Sequence, residues 1–356
     1  MAWLMSAAVV GVMLSGCASL GAQPESTLLT ATSESTSSPR VIASAGPTAP
    51  VIQPTSSTPS PTAPADSPTA TTAVSPSPTG LTWKPVGRTV GGRPAVQIAT
   101  TDSGAIGLMW MDPTKLTFRY VPGYEIPEKG PRMAQDKEPV TWLSGLVAAF
   151  NGAFHLRDNA GGYYYDGTMV RPLRAGLASI VTGVDGSMHV VVWADYMTPQ
   201  PGTLAIRQNL PPLVLDGVSQ PTSHDGTAKW GLADDGLPHA NRSALGETTD
   251  GALIFAYGHE VTAAALAAAL VQAHVTTAIV LDMNKSWPTG FFYDAPSTAL
   301  SAPVSSPPKP VGHRIQAGIQ RDPSTYFTQF KKDFFVALAR DSTAQTPSAS
   351  PAPSLP

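Results

Sequence analysis

The sequence predicts an α+β fold, a mixed, largely antiparallel sheet packed with a few helices in a single domain over residues 81–340. Three observations point there. Short apolar or alternating runs follow one another from Trp83 onward, separated by turn signals. Two pairs of these runs flank Asp-Gly, a dipeptide that suits the positive φ angles of a two-residue hairpin turn. One alanine-rich stretch, Thr262 to Ala273, reads as a helix and leads straight into a further apolar run.

Residues 1–17 read as a lipoprotein signal peptide. The apolar stretch Ala7 to Leu14 runs into Leu14-Ser15-Gly16-Cys17, which is similar to the lipobox of bacterial lipoproteins. The resemblance implies cleavage before Cys17 and lipid attachment there, anchoring the protein outside the cytoplasm at the bacterial cell membrane. The apolar stretch is too short for an ordinary membrane span. No Lys or Arg precedes Cys17, a departure from the positive segment that usually opens a signal peptide. Cys17 is the only cysteine, so neither an intramolecular disulfide nor a cysteine-based metal site can form.

Residues 18–80 are dominated by Ser, Thr, Pro and Ala, and their only charges are Glu25, Glu34, Arg40 and Asp66. With no aromatic residue, such a segment cannot bury enough apolar surface to offset chain entropy, and disorder is expected. As a coil it spans roughly 40–50 Å and would serve as a stalk. It is either a target for O-glycosylation or a plain spacer. Residues 341–356 repeat the composition as a disordered tail. The net charge is −3 and charged residues make up 13 % of the chain, scattered without a basic stripe. That pattern argues against nucleic acid as the partner.

Within the domain, Pro94 to Thr100, Ile106 to Met111 and Leu116 to Val121 read as strands, and Leu146 to Phe150 as a short buried one. Leu177 to Val184 and Met188 to Trp193 flank Asp185-Gly186. Ser243 to Thr248 and Ala252 to Tyr257 flank Asp250-Gly251. Thr262 is a plausible N-cap for a helix that is apolar all round and therefore buried. Thr276 to Leu281 is the strand that follows it. Asp333 to Ala339 is a last strand, with a helix from Thr325 as the alternative.

Four segments place polar residues where strands stop: Asn151-Gly152-Ala153-Phe154-His155, Leu215-Asp216-Gly217, Asn241-Arg242-Ser243 and Leu281-Asp282-Met283-Asn284-Lys285. Two carboxylates, an arginine and an asparagine could form an anion-recognising hydrolytic site, because a guanidinium matches phosphate and carboxylates serve as nucleophile or general acid/base. Each also has a plain structural reading. Asn151-Gly152 and Asp216-Gly217 are common turn dipeptides, Arg242 could be a surface ion-pair partner, and Asp282 could cap a backbone turn. No paired histidines of zinc-site spacing, phosphate-cradling glycine loop or Gly-x-Ser-x-Gly elbow is present. No metal is expected, and the sequence defines no cofactor.

The order of these segments resembles the phosphodiester glycosidase family. Asn151-Gly152-Ala153-Phe154-His155 matches its Asn-Gly-Gly-Phe-Phe-like segment, and Leu215-Asp216-Gly217 matches its strand ending in Asp or Asn before Gly. Arg242-Ser243-Ala244-Leu245-Gly246 with Asp250-Gly251 matches its Arg-Thr-Ala-Ile-Gly-like hairpin. Leu281-Asp282 begins its Leu-Asp-Gly-Gly-Gly-Ser-Ser tip. Where the family carries three glycines, which let backbone N–H groups approach a phosphate, this chain has Met283-Asn284-Lys285.

The resemblance implies the family fold and hydrolysis of a sugar-phosphodiester bond in an envelope glycan or polymer. For that chemistry Asp282 is the expected nucleophile or base, Asp216 and Asn151 position the substrate, and Arg242 meets the phosphate; Gly152, Asn284 and Lys285 are expected at the substrate, the last supplying charge where the family has glycine. The expected partners are a carbohydrate or sugar phosphate and, through Cys17, the membrane. The alternative is a non-catalytic envelope lipoprotein that keeps the fold and binds glycan or protein.

Overall fold

The computed structural model describes residues 80–125, 127, 140–159, 161–222, 227–231, 238–296, 309–328 and 330–340. All of them belong to one compact unit, Pro68–Pro356. The signal peptide with Cys17, residues 18–79 of the stalk and the tail 341–356 lie outside the described residues.

The strands fall into three sheets. The first has eight strands. It joins β1 (Lys84–Val90), β2 (Arg93–Thr100) and β3 (Ile106–Met111) to β14 (Leu253–Val261), β13 (Ala240–Thr248) and β15 (Val275–Met283), and ends on β11 (Val214–Leu215) and β12 (Val218–Ser219). The second runs β7 (Thr168–Arg171), β6 (Tyr163–Tyr165), β10 (Thr203–Gln208), β8 (Ala178–Gly183), β9 (Met188–Val192). The third runs β17 (Gly312–Arg314), β16 (Gly290–Tyr293), β5 (Leu146–Asn151), β18 (Phe334–Ala339), β4 (Leu116–Val121). Among the described residues the helices are α2 (Ala263–Gln272) and the single turn α1 (Val140–Leu143), with three short 3-10 turns besides.

The expected α+β class is therefore corrected. Among the described residues the fold is mainly β, the strand pairs are antiparallel, and one helix exceeds a single turn. Antiparallel neighbours are joined by short turns, and parallel strands would have needed helical crossovers. The helix considered from Thr325 is a 3-10 turn, Pro323–Tyr326, capped by the Asp322 carboxylate, which accepts from Ser324 N at 2.9 Å.

The turns need a second correction. At Asp185-Gly186 and Asp250-Gly251 the glycines alone take positive φ, +82° in each, so these are longer turns with a left-handed glycine. The two-residue turns with both residues left-handed are Gly91-Gly92, Asp166-Gly167 and Asp216-Gly217. Strand existence was nonetheless legible, since β3 and β4 occupy the segments that the apolar runs marked.

The eight-stranded sheet is buried on both faces at its centre, so β15 reads as a continuous apolar run although its neighbours are antiparallel. Leu245, Phe255, Tyr257, Ile279 and Leu281 point to the other two sheets, where Phe255 meets Phe150 with ring centroids 5.1 Å apart. Ala244, Ile254, Ala256, Ala278 and Val280 point the other way, to α2. Small side chains there let Leu266, Ala267 and Leu270 of the helix come down close. Thr262 caps that helix, its hydroxyl accepting from Ala265 N at 3.1 Å, a contact worth about 1 kcal/mol.

Candidate active site at the tip of the central strand

The register of β13 on β15 slips next to Asp282. Ala244 faces Val280 and Arg242 faces Met283, so two steps on one strand meet three on the other. The extra residue makes a bulge, which bends a strand and re-aims its side chains. Strict alternation would send Asp282 to the helix face with Val280. Instead its carboxylate turns toward the third sheet and forms an ion pair through Oδ2 with Lys332. Asn209 secures the bulge, its amide nitrogen donating to Val280 O at 2.6 Å and Leu281 O at 3.0 Å.

The Asp282–Lys332 pair is desolvated, with side chains 3 % and 1 % exposed. Oδ1 of Asp282 accepts from Met283 N at 2.6 Å. Ser243 sits between Asp282 and Asn151. Its hydroxyl accepts from Asp282 N at 3.2 Å and from the Asn151 amide at 2.9 Å. Asn151 also accepts from Thr289 N at 2.9 Å, tying β5 to the strand tip. Gly152 lies beside it for a steric reason. A Cβ there would stand 2.5 Å from Asp333 Cγ, while its N–H donates to Asp333 O at 2.9 Å.

Asp333, next to Lys332, starts a second buried network. Its Oδ2 accepts from Arg207 Nε at 3.0 Å and from Tyr120 O–H at 3.2 Å. Burial pulls the Arg207 guanidinium down, but the Asp333 carboxylate and the Tyr120 and Tyr163 phenols together outweigh it, so the net direction is up. Burial, then the nearby Asp333 charge, pushes the Tyr120 phenol well above its ordinary value. Consecutive residues thus serve different partners, Lys332 on the first sheet and Asp333 on the second.

Of the residues singled out in the sequence, Asn151, Gly152 and Asp282 come together. Arg242 does not join them. Its neighbour Ser243 takes the face toward Asn151, and Arg242 takes the opposite face with Trp230 and Val261. There it is fully buried, donating to the carbonyls of Val261 (3.1 Å), Trp230 (2.8 Å), Gly231 (3.0 Å) and Pro238 (3.1 Å). Burial without a carboxylate among these partners pulls it down to about 10. Asp216 does not join either. It forms the β11–β12 turn beside Thr276, to whose carbonyl Gly217 N donates at 3.0 Å. Thr276 is six residues before Asp282 on β15, about 20 Å along an extended strand.

Met283 and Asn284, which follow Asp282, have definite tasks. Met283 packs its sulfur against Gly231, whose φ is +86° and where a Cβ would stand 2.2 Å from Sδ. The Asn284 side chain accepts from Ser286 N (2.9 Å) and Trp287 N (2.7 Å), which shapes the turn. Lys285 is exposed. The sequence reading missed Ser243, Lys332, Asp333 and Arg207. One available signal was Lys331-Lys332-Asp333 set flush against the wholly apolar Phe334–Ala339 strand, because charges so placed are drawn in with it. Among the described residues no group of three or more His, Cys, Asp or Glu side chains could hold a metal ion, and no helix is long and apolar enough to cross a membrane.

No family model matches the chain, and no curated protein does. Among solved structures, it is similar to the catalytic domain of zebrafish N-acetylglucosamine-1-phosphodiester alpha-N-acetylglucosaminidase, auto-inhibited by its pro-peptide. The identity is 16 % and the TM-score 0.40, over 73 % of this chain and 88 % of that one. A hypothetical protein from Synechocystis follows at 13 % identity and TM-score 0.33, over 73 % of this chain and 62 % of that one. A candidate exported protein from Burkholderia pseudomallei K96243 has 12 % identity and TM-score 0.29, over 70 % and 75 %. These are distant likenesses of fold.

Proposed function

We propose that the chain is a membrane-anchored extracytoplasmic hydrolase of the phosphodiester glycosidase type, acting on a sugar-phosphodiester bond in an envelope glycan or polymer. The observation that carries this is the Asp282 carboxylate, turned by a bulge out of a buried strand and paired with Lys332, while the Asp282 backbone N–H is joined through Ser243 to Asn151. Burying an ion pair brings little stability by itself, so a desolvated carboxylate at a strand tip is a candidate reacting group. In the proposed step the anomeric C–O bond breaks and its electron pair leaves on the phosphate oxygen. A water oxygen bonds to the anomeric carbon, and Asp282 takes the water proton. Phosphate departs as an anion, which lessens the need for a strong general acid. Asn151 positions Asp282 through Ser243. The anchor and location rest on the Leu14-Ser15-Gly16-Cys17 motif.

A second reading is a glycan- or protein-binding lipoprotein, favoured by the 2 % exposure of Asp282 and the full engagement of Arg242 by backbone carbonyls. Incubation of the full chain with UDP-N-acetylglucosamine or a teichoic-acid-like polymer separates the two. Hydrolysis releases free sugar, and Asp282→Asn should slow it by about 10²–10⁴-fold. Equal release by wild type and variant would remove Asp282 from the chemistry. Binding without release would favour the second reading.

A further inference from the structure

Trp287 closes the turn that follows Asp282, and cations surround it. The guanidinium carbon of Arg321 lies 4.8 Å from its ring centroid, Lys331 Nζ 5.0 Å and Lys332 Nζ 5.4 Å. Phe330 meets the indole edge-on at 6.0 Å and holds the same guanidinium at 5.1 Å. One cation on an aromatic face is a stabilising stack. Three on a single ring are at most about 10 Å from one another, roughly one Debye length at 0.1 M salt, and they repel.

Only part of this charge is answered. Lys332 pairs with Asp282. Arg321 donates Nε to Ser286 O at 2.7 Å, and neither it nor Lys331 meets a carboxylate among the described residues. The arrangement is held in place, because the Asn284 side chain fixes the backbone of Ser286 and Trp287. It is also reachable: Arg321, Lys331, Trp287 and Phe330 are part-exposed, and Lys285 on the same turn is exposed.

We infer that this cluster is an anion subsite for a phosphate group. Arg321 supplies a planar fork and Lys331 a point charge, a combination matched to phosphate oxygens. Trp287 and Phe330 form a rigid floor, and Lys332 links the subsite to Asp282. The phosphate role that the resemblance implied for Arg242 passes to residues on the accessible side of the strand tip. Placing a substrate phosphate here rests on the Asp282 reading above, whereas anion binding itself does not.

The test titrates the full chain with inorganic phosphate, N-acetylglucosamine 1-phosphate and uncharged N-acetylglucosamine, followed by calorimetry and tryptophan fluorescence. Saturable binding of both phosphates but not of the uncharged sugar is expected, weakened at least about tenfold in Arg321→Gln and in Lys331→Gln. Tighter binding of the sugar phosphate than of phosphate would assign the subsite to a phosphorylated sugar, and equal binding to phosphate alone. Lys331 is part-exposed, so its variant keeps the test valid should the Arg321 variant fail to fold. Absence of saturable phosphate binding, or binding unchanged in both variants, overturns the subsite. If phosphate binds as expected while no sugar is released from any substrate, the subsite stands and the catalytic reading falls. If sugar is released with an unchanged KM in both variants, the reverse holds.

Discussion

Replacing Lys332 by Met should expose the cost of the charge at the strand tip. The substitution keeps most of the side-chain volume and removes the ammonium, leaving the Asp282 carboxylate 3 % exposed with Met283 N–H as its remaining donor. Breaking one partner of a buried pair costs about 3–5 kcal/mol, and the retained N–H places this case near the lower end, about 3 kcal/mol. With a urea dependence of about 3 kcal/mol per molar, the unfolding midpoint should fall by about 1 M. Asp282→Asn alone takes the carboxylate away from the Lys332 ammonium instead and should also be destabilising. The double variant Asp282→Asn/Lys332→Met buries no charge and should be more stable than the sum of the single losses allows, by about 3 kcal/mol. It also serves as the folded control if Asp282→Asn unfolds in the sugar-release assay. Urea unfolding followed by tryptophan fluorescence reads all three. A Lys332→Met loss under about 1 kcal/mol, or strictly additive losses, would mean that the pair is solvated and the reasoning about the strand tip is wrong.

Gly152→Ala should destabilise by about 2–3 kcal/mol in the same assay, because its Cβ would stand 2.5 Å from Asp333 Cγ and neither group has room to yield. Gly231→Ala meets both a positive φ of +86° and the Met283 sulfur. Adding Met283→Ala should relieve the clash and leave a residue of about 1–2 kcal/mol from backbone strain, measured against the Met283→Ala single variant. His189 on β9 is tied to Glu247 on β13 at 2.9 Å, and that hydrogen bond raises it above its ordinary value of 6.5. The tie's contribution is complete below the unfolded value and is lost as pH rises through the folded one. His189→Gln should therefore lower the thermal midpoint at pH 5.5 and change little at pH 9.

The strands were legible because their cause is local. Apolar runs such as Ile106–Met111 and the hairpin around Asp250-Gly251 carry their own period and turn residues. The helix at Ala263–Gln272 was legible for the same reason, with Thr262 as its cap. The class was misjudged because the sequence marks one helix clearly and says nothing about how strands from distant segments pair. At the site, Asp282 and Asn151 could be named from their place at strand ends. The side to which each side chain turns depends on a one-residue slip between β13 and β15, which no single segment encodes. Arg242 and Ser243 are adjacent in sequence and opposite in space. Lys332, Arg321 and Lys331 come from the far end of the chain, and only the third sheet's placement brings them to the strand tip.

One nitrogen of Arg242 donates to both Gly231 O and Pro238 O, at 3.0 and 3.1 Å. Those two carbonyl oxygens are consequently no more than about 6 Å apart, whatever the chain does between them. A single buried guanidinium thus clasps Gly231 and Pro238 to the sheet from one side. Replacing Arg242 would unfasten both points at once, while the Asp282 carboxylate on the other face keeps its own partners.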